Sequence, residues 1–95
     1  MMERSADRVV VSGAMTYANA RRLLELGLAE IDGGAKVFDL EAVGELDSAS
    51  LALVFAWQRA AESRGAKVSV RNPPPSLLTL AELYGVSELL PLAGS

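Results

Sequence analysis

The sequence predicts an α/β fold, a small mixed and mostly parallel sheet with helices packed on it, and three observations carry that prediction. Short apolar or β-branched runs, Val9-Val10-Val11, Lys36 to Leu40 and Lys67 to Arg71, read as strands. Between them lie stretches in which apolar residues recur at three- and four-residue steps, the spacing of a half-buried helix. Strands separated by helices need crossover connections, and such connections set successive strands parallel.

Each element has its own signal. Val9 to Val11 is closed by Ser12-Gly13. From Thr16, a predicted N-cap, Ala20, Leu23, Leu24, Gly27, Leu28 and Ile31 define one face of a helix that Gly33-Gly34 ends. Lys36 to Leu40 is the second strand. A second helix begins near Ser48 and stops at Gly65, and Lys67 to Arg71 follows as the third strand. Pro73-Pro74-Pro75 reads as a rigid connector. Ser76 then caps a last helix through Tyr84, with Leu77, Leu80, Ala81 and Tyr84 on one face and Gly85 as its stop, and Val86 to Leu92 adds one more turn.

Composition narrows the function. At 95 residues the chain is read as one domain, residues 1–95. It is long enough to bury roughly 60 to 65% of its unfolded surface. Cysteine and histidine are both absent, which removes disulfides, thiol catalysis, the usual general base and the commonest metal ligands, so an enzyme is not expected. Nine basic against twelve acidic residues give a net charge of -3 and a pI near 4.8, the wrong sign for nucleic acid or an anionic membrane surface. No stretch approaches the ~18 apolar residues of a membrane span, so direct insertion is not expected and the chain reads as cytoplasmic. Neither G-x-G-x-x-G nor a Gly-Lys-Ser/Thr run occurs, and no cofactor is expected. Asp39, Glu41, Glu45 and Asp47 lack a liganding spacing and read as a solvated rim rather than a metal site.

The start of the second helix carries the most information. The polar cluster Asp47-Ser48-Ala49-Ser50 runs directly into seven apolar residues, Leu51 to Trp57. Asp47 is the expected cap, its carboxylate accepting first-turn amide hydrogens and sitting at the positive end of the helix dipole. At 100° per residue, Leu53, Val54, Ala56, Trp57, Ala60 and Ala61 form the core face, with Trp57 expected against Val37, Leu40 and Val68. The opposite stripe holds Ser48, Leu51, Ala52, Phe55, Arg59 and Glu62. A hydroxyl ringed by Leu51 and Phe55 at a helix start is the makings of a docking surface. The expected partner-binding set is therefore Ser48, Ser50, Leu51, Ala52, Phe55 and Arg59, with no catalytic or metal residue.

The run "FDLEAVGELDSASLALV", the strand "KVSV" and the closing "LLTLAELYGVSELLPL" resemble a STAS domain over nearly the whole chain. The resemblance implies a small mixed sheet with helices on one side, and it matches Asp47 to the family's Asp and Ser48 to its Ser or Thr. Where that family often has Gly, two places after the hydroxyl residue, this chain has Ser50. Two branches are relevant. In the subunits of Mla-type phospholipid-trafficking ABC transporters, the helix face bearing the hydroxyl packs on the ATPase. In anti-sigma factor antagonists, an anti-sigma kinase phosphorylates the Ser. The ending "TLAELYGVSELLP" is similar to the transporter branch. The resemblance thus implies an ATPase partner and a place beside the inner membrane through that partner. The alternative it leaves open is a kinase partner with Ser48 as phosphoacceptor.

Overall fold

The computed structural model describes residues 1–93. Six strands and three helices run in the order β1 (Met2–Ser5), β2 (Arg8–Val11), β3 (Gly13–Met15), α1 (Ala20–Asp32), β4 (Val37–Asp39), β5 (Val43–Leu46), α2 (Ala49–Glu62), β6 (Ser69–Arg71) and α3 (Pro75–Leu83). Single 3-10 turns precede α1, at Tyr17–Asn19, and follow α3, at Ser87–Leu89.

The main sheet has the order β1-β2-β4-β6, antiparallel at β1 and parallel elsewhere. Its register sets Val9, Phe38 and Val70 side by side, and all three are buried. Because side chains alternate across a strand, Val11, Leu40 and Val68 share that face. They join the helices' Leu23, Ile31, Leu53, Val54, Trp57 and Leu77 in one apolar cluster. The other face carries Glu3, Val10, Asp39 and Arg71 in one row. After Ser12 the chain leaves this sheet, and β3 pairs in parallel with β5 as a separate two-stranded sheet.

The helical layer is held by one unusual contact. Trp57 stacks flat on Phe38, with ring centroids 4.5 Å apart and planes 9° from parallel. On its other side is Gly27 of α1, where a Cβ would overlap the indole nitrogen. The missing side chain is what lets α1 lie close against α2. That nitrogen is buried with no hydrogen-bond partner, a cost of about 1 to 3 kcal/mol set against the area the ring removes from water.

Several expectations are corrected. One strand was expected before the first helix, but there are three. β1 is a polar edge strand without alternation, and its hairpin closes through Ala6, in the left-handed region at φ 58°, rather than through Gly or Asn. The stretch Glu41 to Leu46 ends in a strand. Thr16 makes no side-chain cap bond. Ser76 is not the cap of α3: Pro74 holds that position and Pro75 opens the helix, where its missing N–H costs nothing. Tyr84 of the predicted buried face is exposed. Trp57 is buried as expected, but its neighbour on β4 is Phe38, while Val37 points to the opposite face and is half-buried.

Candidate functional site

The site is built from the end of β5. Asp47 donates its N–H to the Met15 carbonyl at 3.3 Å, so the last link of the β3–β5 pairing leads straight into α2. The Asp47 carboxylate then accepts twice, from the Ala49 N–H at 2.9 Å and from the Tyr17 N–H at 3.0 Å. One side chain thus satisfies amide donors at the starts of two helical segments, and the positive ends of both favour its charge. The Asp47 carbonyl accepts from the Ser50 N–H at 3.0 Å and from the Ser50 hydroxyl at 2.7 Å.

That last bond shows why Ser50 leaves the expected partner-binding set: its side chain is fully buried and its hydroxyl is spent on the helix's own first turn. Leu51 leaves it too, at 6% exposure. The buried arc of α2 is wider than the projection assumed, because α3 and the turn after it cover the flank on which Leu51 lies. Phe55, on the same flank, is half-buried in a shallow depression with Val86 and Leu89. Ser48, Ala52 and Arg59 remain exposed.

Ser48 sits in helical conformation just ahead of α2, its side chain making no cap bond. Two grooves meet at it. The larger, of about 820 Å3, runs between α1 and α2; Ala49, Ala52 and Ala56 form its α2 wall and Ala20 and Leu24 its α1 wall. Tyr17 stands at its head and is 85% exposed. The smaller, of about 470 Å3, separates the start of α2 from α3 and carries Ser76, Thr79, Leu80 and Tyr84. Two exposed tyrosines therefore flank one exposed serine. Arg21 and Arg59 line the larger groove.

Tyr17, Arg21 and Tyr84 were not among the expected site residues. Their types are those enriched at interfaces, aromatic bodies with a polar tip and planar cations. Only the fold reveals that α1 and α3 bring them to the start of α2.

Both Asp47 oxygens are engaged by backbone N–H groups, which leaves Ser48 without a base aligned on its hydroxyl. Among the described residues, no group of three or more His, Cys, Asp or Glu is placed to hold a metal ion. No helix among them is long and apolar enough to cross a membrane.

Residues 1–91 match the family described as MlaB, STAS domain. No curated protein matches the sequence. Among solved structures, a chain of the Acinetobacter MlaFEDB complex in an ATP-bound conformation is 23% identical, with 98% of this chain and 99% of that chain covered and a TM-score of 0.82. A putative anti-sigma factor antagonist from Thermotoga maritima is 16% identical over 100% of this chain and 86% of its own, with a TM-score of 0.77. The Bacillus cell fate determinant SpoIIAA in its phosphorylated form is 18% identical over 100% of this chain and 91% of its own, with a TM-score of 0.66. At these identities the three structures show a shared fold.

Proposed function

The chain belongs to the MlaB-type STAS domain family, and from that premise we propose that it is a non-catalytic subunit that docks onto the ATPase of an Mla-type phospholipid ABC transporter. It does so through the surface around the start of α2 and supports the transporter's assembly or activity. The observation that carries this reading is the end-to-end match to a chain of the MlaFEDB complex, 98% of one and 99% of the other, in a family described by that subunit type. The exposed surface supports it. Ser48 and Ala52 offer small, exposed side chains in the grooves that Tyr17 and Tyr84 flank. On this reading the protein works in the cytoplasm and reaches the membrane only through its partner.

A second reading rests on one specific feature. Ser48 is exposed at the start of α2, and one of the chains sharing this fold is a phosphorylated form of SpoIIAA. In that reading an anti-sigma factor kinase phosphorylates Ser48, and the added charge switches partners.

The two separate at Ser48. The protein and its variants are mixed with the ATPase subunit of an Mla-type transporter from the same genome, and intact mass is followed with ATP and any histidine-kinase-like anti-sigma factor of that genome. Docking on an ATPase predicts an unmodified Ser48 and a loss of ATPase capture in Ser48→Asp and Ala52→Arg, with melting unchanged. Ser48→Ala then costs only about 1 kcal/mol of affinity. Phosphate on Ser48, with Ser48→Ala binding the anti-sigma factor and Ser48→Asp released from it, establishes the antagonist instead.

A further inference from the structure

We propose that the groove between α1 and α2 receives an acidic helix of the partner, with two carboxylates about two turns apart that meet Arg21 and Arg59. The inference rests on the docking reading above and adds what the partner must present.

The groove has the shape for a helix. Asp47 holds the beginnings of both helical segments, at Tyr17 and at Ala49, so the 3-10 turn that leads into α1 starts level with α2, and the two helices run side by side in one direction. The walls between them are mostly alanine, which leaves the groove open along its length and lets a third backbone approach closely.

Charge selects which helix. The chain carries a net charge of -3, yet the cations of this groove are not neutralised. Arg59 has no ion pair among the described residues. Arg21 reaches only Glu25, at 3.9 Å, and the two side chains are 93% and 70% exposed, so that link exchanges readily with water. The one acid that lines the groove, Asp47 at its head, already has a backbone N–H on each oxygen and is outnumbered by the two arginines. A positive groove on an acidic molecule attracts a carboxylate-bearing segment there and repels it elsewhere, which sets the docking register. Guanidinium groups suit this task because they meet carboxylates with two parallel hydrogen bonds.

The spacing follows from the helices. Arg21 lies four residues beyond Tyr17 and Arg59 ten beyond Ala49, the two residues whose amides Asp47 holds. At about 2.0 Å rise per residue in the 3-10 turn and 1.5 Å in the helices, Arg59 stands on the order of 8 Å further along the groove than Arg21. Acidic residues seven positions apart on a partner helix are separated by about 10 Å and face the same way.

The test titrates the purified ATPase subunit of an Mla-type transporter from the same genome with the parent protein, Arg21→Glu, Arg59→Glu and the double variant, at low and high salt. Each single reversal is expected to weaken binding about tenfold and the pair about a hundredfold, since the sites are far enough apart to act additively. The parent should lose affinity with salt more steeply than the double variant. Circular dichroism melts should coincide, because both arginines are exposed. A lysine scan of the ATPase's helical carboxylates should find one change that restores binding to Arg59→Glu. If the double variant binds as tightly as the parent while Ser48→Asp does not bind, the docking reading stands and the acidic helix is wrong. If the parent itself fails to bind the ATPase, the docking reading fails and takes this inference with it.

Discussion

Asp47 holds two elements with one carboxylate, and its replacement should therefore do more than the loss of a simple cap. Asp47→Ala frees the Ala49 and Tyr17 amides together and is expected to cost about 1 to 2 kcal/mol, read as a lower midpoint in urea. Asp47→Asn keeps one acceptor oxygen and should fall between parent and alanine. Because Tyr17 is the groove's aromatic head, the alanine variant should also bind the partner more weakly than its lost stability alone explains. Ala6 is the converse case. It takes a left-handed conformation, φ 58°, in the β1–β2 hairpin, where a side chain is strained and glycine is not. Ala6→Gly should raise stability by up to about 1 kcal/mol; an unchanged or lower melting temperature would show that the turn carries no strain.

At the scale of elements, Gly27 and Trp57 decide how α1 meets α2. Trp57→Ala opens a cavity beneath both helices and should cost about 3 to 5 kcal/mol. Gly27→Ala instead pushes a methyl into the indole and should cost about 1 to 3 kcal/mol. The two are coupled, so Gly27→Ala should be far milder in a Trp57→Leu background, and strictly additive losses would show that the contact is not the one described. The sequence made some elements plain and concealed others for reasons visible here. β2, β4 and β6 were legible because they carry apolar residues for the buried face of the sheet, and the three helices because their buried faces recur at helical steps. β1, β3 and β5 were not, since "MERS", "GAM" and "VGEL" hold too few apolar residues to signal strands and owe their conformation to the partners they pair with. Ser48 was legible as an exposed hydroxyl. Leu51 was misread because a helical wheel treats one helix against one core and does not know that α3 closes over the flank.

The molecule as a whole has a radius of gyration of 11.9 Å, close to the ~12 Å expected of a packed chain of this length. It is asymmetric: helices cover one face of the main sheet, and the opposite face presents charged and polar side chains such as Glu3, Arg8 and Arg71. The proposed docking on the helical side would therefore leave the sheet free of the partner. Stability should be graded in the same way. The amides of Phe38, in the central strand β4, and of Val70, which the Pro91 carbonyl covers at 2.7 Å, should exchange with deuterium most slowly, and those of the edge strand β1 that point outward most quickly. Equal rates across the four strands would mean that β1 is held more firmly than a single pairing allows.

The stacking of Trp57 on Phe38 has a practical consequence. This indole is the only one in the chain, it is 1% exposed, and it projects from α2 roughly opposite to Ser48. Its emission spectrum should therefore be blue-shifted in the native protein and move to the red as the core opens. A partner seated on the far side of the helix should scarcely alter it. A tryptophan-free partner could then be titrated while the fluorescence reports only whether the protein remains folded, which separates variants that lose the interface from variants that lose the fold.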